Sequence, residues 1–343
     1  MDSFLSLSRA ERLQALRAAS DASGRPLHLF EKDVWVVWTL KALFGSPYGP
    51  DLAFKGGTSL SKAYGMIRRF SEDVDLTYGV HRLLPADLLA KTDAGPFDPL
   101  PVSASQQQKI TKLIKQTLPD WVAAAVLPHL EKGLAAEGLV ANIRSADEKL
   151  FIEYEPLIQG ASYVSPRVML EFGARSTGEP CTERNVICDA AAHLPMLAFP
   201  QARPRVMMVE RTFWEKATAI HVYCLQNRLR ADRFSRHWHD LVRLYAQGVA
   251  TQSLHRLDIG LAVAAHKAHF FSAKDAGGKV IDYRAAVRGR ISLVPDGAAL
   301  DALRADYAAM VADGLLLDDA EPFDDLMATC ARIEAQLNQR SGD

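Results

Sequence analysis

Residues 54–76 read Phe54-Lys55-Gly56-Gly57-Thr58-Ser59-Leu60-Ser61-Lys62-Ala63-Tyr64-Gly65-Met66-Ile67-Arg68-Arg69-Phe70-Ser71-Glu72-Asp73-Val74-Asp75-Leu76. The run opens at the end of a short apolar strand, Leu52-Ala53-Phe54, which leads into two glycines. Glycines let a backbone turn sharply and approach a ligand closely. Thr58 and Ser59 follow, and a helix is expected over 59–69. The unsatisfied N–H groups and dipole at such a helix start favour an anion such as phosphate, and the two hydroxyls can donate to it. The chain then returns as a strand over 73–78, whose period-two alternation sends Asp73 and Asp75 to one face. Two carboxylates that close repel each other unless a divalent cation sits between them. Mg²⁺ suits the pair, because it takes carboxylate oxygens and completes its shell with phosphate and water. A phosphate cradle beside a Mg²⁺ clamp is what transfer of a nucleotide from a nucleoside triphosphate needs.

Each part is cheap alone. With 41 acidic residues in 343, chance places roughly five acidic-x-acidic triplets in the chain, and a Gly-Gly-Thr turn ordinarily marks only a helix start. The ordered combination of strand, Gly-Gly-Thr-Ser, helix and Asp-x-Asp is much rarer.

Working outward, Ser8-Arg9-Ala10-Glu11 has capping-box spacing, and Gly24 closes the helix that follows. A second helix is expected over 28–44. Residues 81–103 carry four prolines and read as a loop or insertion. Further helix is expected over 104–138, strands over 150–154 and 167–172, and irregular chain over 173–204. From 206 the pattern is helical, at 208–229, 235–247, 251–270, 298–313 and 322–339. The fold class is therefore α+β, with a mixed-sheet core over 1–205 and a helical C-terminal lobe over 206–343.

The run from Gly56 to Leu76 resembles the AbiEii/AbiGii-type nucleotidyltransferase toxins, a branch of the DNA polymerase β-like superfamily that includes the MenT toxins. The resemblance rests on Gly56-Gly57-Thr58 and on Arg69-Phe70-Ser71-Glu72-Asp73-Val74-Asp75-Leu76, with Glu31-Lys32-Asp33 as a similar opening motif. Downstream, Glu215-Lys216-Ala217 and Arg236-His237-Trp238-His239-Asp240-Leu241 also look like family elements. Thr58 stands where many relatives carry Ser, and either supplies a hydroxyl.

The resemblance implies a polymerase β-like nucleotidyltransferase core, a Mg²⁺ cofactor and a nucleoside triphosphate donor. It also implies a tRNA 3′ end as acceptor and a cognate antitoxin as partner. It assigns Lys216 to the triphosphate, makes Asp240 a further essential carboxylate, and has the helical lobe contribute to the active cleft. Gly56, Gly57, Thr58 and Ser59 would hold the triphosphate; Asp73 and Asp75 would hold the metal. Read from the residues alone, Lys216 can equally snorkel to solvent, and Asp240 can pair with Arg236 at i,i+4. A nucleotidyltransferase acting on a protein or small molecule, and a non-catalytic nucleotide-binding module, are the competing functions.

Glu171 is the candidate third metal ligand, because it interrupts the apolar strand-like run Arg167-Val168-Met169-Leu170-Glu171-Phe172. An exposed edge-strand Glu is the alternative, and Glu153 and Glu155 are weaker rivals. His237 and His239 read as surface helix residues that could touch RNA. Trp35, Trp38, Tyr64 and Phe70 read as core. Asp318-Asp319 and Asp324-Asp325 read as a solvated loop and helix start. Lys109, Lys112 and Lys115 form a basic stripe that reads as a solvated helix face or a nucleic-acid contact.

The chain is 48% hydrophobic and 24% charged, with a formal charge of -1. A nucleic-acid partner must therefore meet a local patch rather than a generally basic surface. Its start lacks signal-peptide character, no run suits a membrane helix, and its four cysteines are too sparse for a disulfide framework. A cytoplasmic protein is expected.

Overall fold

The structure is a computed structural model and describes residues 1–69, 71, 73–158, 165–227, 233–314, 316 and 320–339. It divides into two compact units that interleave along the sequence: Met1–Ala63, Glu72–Leu84 and Lys112–Val206 in the first, and Tyr64–Ser71, Pro85–Thr111 and Met207–Asp343 in the second.

The first unit opens with β1 (Asp2–Ser3), α1 (Arg9–Ser23) and α2 (Leu27–Phe44). Ser8 forms the expected capping box with Glu11, and Gly24 closes α1 at a φ of 73°. Next come β2 (Leu52–Lys55), α3 (Gly56–Lys62) and β3 (Asp73–Tyr78). One helical turn, α4 (Ala86–Leu89), and the two-residue strands β4 (Asp93–Ala94) and β5 (Pro99–Leu100) occupy the proline-rich stretch. α5 (Ala104–Trp121) continues through a π turn at Val122–Val126 into α6 (Leu127–Ala136).

The strands β6 (Ala141–Ala146), β7 (Lys149–Tyr154) and β8 (Arg167–Gly173) complete one side of the sheet. Short strands β9 (Cys181–Glu183), β10 (Val186–Ile187), β11 (Leu197–Ala198), β12 (Gln201–Ala202) and β13 (Arg205–Met207) lie in the stretch expected to be irregular. Seven of these strands form one mixed sheet in the order β6-β7-β8-β3-β2-β13-β9. β3 runs antiparallel to β2 and parallel to β8.

Strand alternation gives the sheet two unlike faces. Leu52, Phe54, Val74, Leu76, Leu150, Ile152, Val168, Leu170 and Phe172 are buried and share one face. Trp35 and Trp38 of α2 are buried as well and meet edge to face at 5.9 Å. The other face carries Lys55, Asp73, Asp75, Lys149 and Glu171, all half-buried.

The helix expected over 59–69 ends at Lys62. Beyond it, Gly65 takes a φ of 63°, the Tyr64 hydroxyl donates to the Met207 carbonyl at 2.9 Å, and Arg69 is drawn into an ion cluster described below. Tyr64 belongs to the second unit and is half-buried; Phe70 lies outside the described residues. β6 is a strand that the sequence pattern does not mark off from the preceding helix.

The second unit carries α7 (Val209–Gln226), α8 (Arg236–Ala246), α9 (Val249–His255), α10 (Leu257–Phe270), α11 (Tyr283–Val287), α12 (Gly297–Ala312) and α13 (Phe323–Asn338). Its core is built on the buried Phe213, Trp214, Trp238, Leu241, Leu303, Leu326 and Ile333. The single helix expected over 251–270 is two, broken at Arg256, whose backbone leaves the helical region. A side chain at Gly260 would put Cβ 2.8 Å from a ring atom of Trp214, so only glycine lets α10 pack this closely.

Candidate active site

The turn after β2 is where the sheet's polar face begins. Gly56 has a φ of 77°, and a Cβ there would lie 1.9 Å from Oδ2 of Asp75. The φ disfavours an L side chain, and the close approach of the backbone to the Asp75 carboxylate leaves no space for one unless that carboxylate shifts. Asp75 pairs in register with Lys55 of β2 and with Glu171 of β8, while Asp73 pairs with Met169. The two Asp side chains are half-buried on one face of β3. Two carboxylates over a side-chain-free backbone are an oxygen-donor set suited to a hard divalent cation.

Glu171 is brought to the same face, beside Asp75, on a strand inside the sheet rather than at its edge. Its carboxylate pairs with Lys149 Nζ at 2.9 Å. The bond to Glu171, with further help from the charge of Asp73, holds the Lys149 ammonium above its usual range. Among the described residues, no three His, Cys, Asp or Glu side chains are grouped to hold a metal ion. Glu153 pairs with Arg144 and Glu155 with Arg9.

Thr58 and Ser59 are fully buried. Thr58 Oγ1 donates to the Asp73 carbonyl, and Ser59 Oγ donates to the Gly56 carbonyl at 2.9 Å. The Thr58 proton thus ties the turn to β3, and the Ser59 proton closes the turn on itself. Gly57 follows Gly56 in the first turn of α3.

At the far end of α3, Lys62 reaches Asp33 Oδ1 at 2.6 Å and Asp189 Oδ1 at 2.5 Å, and Arg25 also pairs with Asp189. The opening motif is therefore internal. Glu31, Lys32 and Asp33 are all buried in α2. Glu31 accepts both its hydrogen bonds from the Leu157 N–H, and burial pushes its carboxyl up to about 7.

In the second unit, Asp240 is fully buried at the centre of an ion cluster. Arg69 grips it with Nε at 2.6 Å and Nη2 at 2.8 Å, and Lys216 Nζ lies 2.8 Å from Oδ2. Burial alone would raise the Asp240 carboxyl, but Arg69 and Lys216 outweigh it and hold it well below the carboxylate range. Lys216 is buried in this pair and does not snorkel to solvent.

His239 is not a surface residue: it is fully buried beside Asp240. His237 is half-buried, and desolvation of its ring holds it well below its usual pKa. Trp238 Nε1 donates to the Leu293 carbonyl at 2.8 Å, which turns this helix face inward. Arg211, in the motif that precedes Lys216, is buried against Asp98 at 2.9 Å. Lys109, Lys112 and Lys115 are exposed on α5. Asp324 pairs with Arg304, and Asp318 and Asp319 lie outside the described residues.

Arg69 is the site residue least visible in the sequence. Its place in the Arg-Phe-Ser-Glu-Asp run is the available signal, since a cation ahead of an acidic pair invites a search for a distant acid.

Residues 38–329 match the family described as the nucleotidyl transferase AbiEii toxin of a type IV toxin–antitoxin system, and the chain belongs to that family. The protein is accordingly a nucleotidyltransferase. No curated protein matches the chain. Among solved structures it is similar to JHP933 from Helicobacter pylori, at 14% identity over 92% of this chain and 94% of that one, with a TM-score of 0.41. It is similar also to MenT4, a nucleotidyltransferase toxin from Mycobacterium tuberculosis, at 17% identity over 96% and 98% of the two chains, with a TM-score of 0.40. The family assignment rests on the match over residues 38–329. No helix among the described residues is long and apolar enough to cross a membrane.

Proposed function

We propose that the chain transfers a nucleoside monophosphate from a nucleoside triphosphate to the 3′ end of tRNA, as the toxin partner of a cognate antitoxin. The observation that carries this reading is the pair Asp73 and Asp75 on one strand face, with the Gly56 backbone against the Asp75 carboxylate. Mg²⁺ held by that pair would supply neutralising charge for the departing pyrophosphate and acidify the attacking hydroxyl.

Gly56 and Gly57 bring backbone N–H groups to the triphosphate, and Thr58 and Ser59 hold that turn in place. Glu171 stands beside Asp75 as a third carboxylate, released to the cation when Lys149 turns to phosphate. The acceptor oxygen attacks the α-phosphorus in line, the bond to the bridging oxygen breaks, and pyrophosphate leaves as the hydroxyl proton passes to water.

Lys216 is assigned to the charge of the triphosphate. Asp240 fixes where that ammonium sits, and it anchors Arg69 four residues ahead of Asp73 in the chain.

The test is incubation of the protein with Mg²⁺, total tRNA and each α-labelled nucleoside triphosphate in turn, beside Asp73→Ala/Asp75→Ala. Label in tRNA with the intact protein alone is the expected result. Equal labelling by the double variant would remove the assigned chemistry. Label on protein or on a small molecule instead would move the acceptor, and no label at all would favour a non-catalytic nucleotide binder.

A further inference from the structure

On the polar face of the sheet, one row of register-paired residues runs from Asp73 across three more strands. Asp73 of β3 pairs with Met169 of β8, Met169 with Phe151 of β7, and Phe151 with Arg144 of β6. Beside this row, Arg167 of β8 pairs with Glu153 of β7. The guanidinium carbon of Arg144 lies 4.3 Å from the centroid of the Phe151 ring, and that of Arg167 lies 5.1 Å from the same centroid. Phe151 is left only 9% exposed, whereas both arginines are exposed.

One ring therefore positions two cations that remain open to solvent. A stacked guanidinium loses little further freedom when it binds a phosphate. Arg144 also lies near Glu153, but at 3.7 Å and half exposed, a weak pair that a phosphate can replace.

The position follows from strand spacing. Adjacent strands lie about 4.8 Å apart, so Arg144, three strands from Asp73, stands about 14 Å from the carboxylate strand. The glycine turn lies on the opposite flank of β3, at the end of β2. Donor and acceptor thus have separate sides of the carboxylate pair.

We propose that Arg144 and Arg167, held over Phe151, form a docking strip for the phosphodiester backbone of a single-stranded RNA acceptor whose terminal hydroxyl reaches Asp73 and Asp75. The strip rests on the nucleotidyl-transfer reading for the direction of the strand, and on this row of residues for its location. It fits a polyanionic chain rather than a small acceptor, because its cations are spread over the sheet, Arg167 one strand from the carboxylates on β8 and Arg144 three strands away on β6. A net charge of -1 over the whole chain makes such a local patch the only kind of basic surface available.

The experiment uses the full chain with a fluorescein-labelled single-stranded RNA oligonucleotide, titrated by anisotropy at several salt concentrations. A fluorescent nucleoside triphosphate is titrated in parallel. Arg144→Gln/Arg167→Gln should weaken RNA binding on the order of tenfold or more and make the log–log salt slope shallower by about 1.4, since each single-strand phosphate contact contributes about 0.7. Nucleotide affinity and melting temperature should stay at wild-type values. Arg144→Lys/Arg167→Lys, which keeps the charge, should recover part of the loss.

RNA affinity and salt slope unchanged in the Gln variant would overturn the strip, as would a wild-type protein that binds no RNA. Arginine-dependent RNA binding without any nucleotide transfer would keep the strip and defeat the transfer reading instead.

Discussion

The molecule gathers carboxylates in two contrasting ways. Asp73 and Asp75 sit half-buried on an open sheet face, with a glycine backbone where a side chain would otherwise stand. Asp240 is fully buried, with Arg69 on both of its oxygens and Lys216 on one. The first arrangement stays half-buried on the polar face of the sheet. The second is closed, and breaking it strands two buried cations. Both sit in stretches that resemble family motifs, so such stretches hold a half-buried carboxylate pair in one unit and a closed ion cluster in the other.

The sharpest way to break this contrast is to remove both open carboxylates. Asp73→Asn/Asp75→Asn should lower nucleotide transfer by about 10³-fold or more, in the range seen when a main charge-stabilising group is lost. Its melting temperature should stay at or above wild type, because like charges are relieved. A large fall in melting temperature would make this pair structural too, and the contrast would fail.

Asp240→Asn should do the reverse and cost stability first, by about 3–5 kcal/mol on denaturant unfolding, since it leaves buried cations unpaired. Arg69→Met/Asp240→Leu, which removes one cation with the acid, should recover part of that loss. Full stability in Asp240→Asn would show that the cluster is not closed.

Gly56→Ala sharpens the comparison from the side of the backbone. The methyl would meet the Asp75 carboxylate in a left-handed conformation, at a cost of about 1–2 kcal/mol. Transfer should fall further than stability, on the order of 100-fold, because a displaced carboxylate misplaces the chemistry. Equal and small losses in both assays would separate Gly56 from the site.

A more gradual effect concerns pH. Glu31 has its carboxyl raised to about 7 by burial, against an ordinary value of 4.5. The folded state therefore binds this proton more tightly than the unfolded chain does. Stability from this group is full below about 4.5 and falls as pH rises through 7, by about 3 kcal/mol at most. Glu31→Gln should flatten the stability profile between pH 5 and 8, as followed by urea unfolding; an unchanged slope would remove the assignment.

Much of the fold is legible in the sequence because it is local. The Ser8–Glu11 capping box, the Gly24 stop, the apolar strand before Gly56 and the alternation of β3 are short-range features whose cause lies within a few residues. That alternation alone is enough to place Asp73 and Asp75 on one face. The end of α3 at Lys62 has one local signal, Gly65, which takes a left-handed φ just beyond it, but the apolar and basic residues around that glycine read as a continuing helix. Contacts with Met207 and Asp240, far along the sequence, draw them away.

The burial of His239 escapes the sequence for the same reason. Polar residues around a tryptophan look like a solvated face until the partners that bury them are known.

What the sequence determined by itself is the run of elements from α1 to β3, the family, and the placing of Asp73 and Asp75 on one strand face, all written in residues close together along the chain. Only the tertiary structure decided that Asp240 is clamped by Arg69 and Lys216, that Glu171 stands beside Asp75, and that two arginines share one phenylalanine on the row leading to Asp73. These are pairings between distant segments. They depend on strand register and on which side chains burial forces to find a partner, and neither is encoded in any single stretch of sequence.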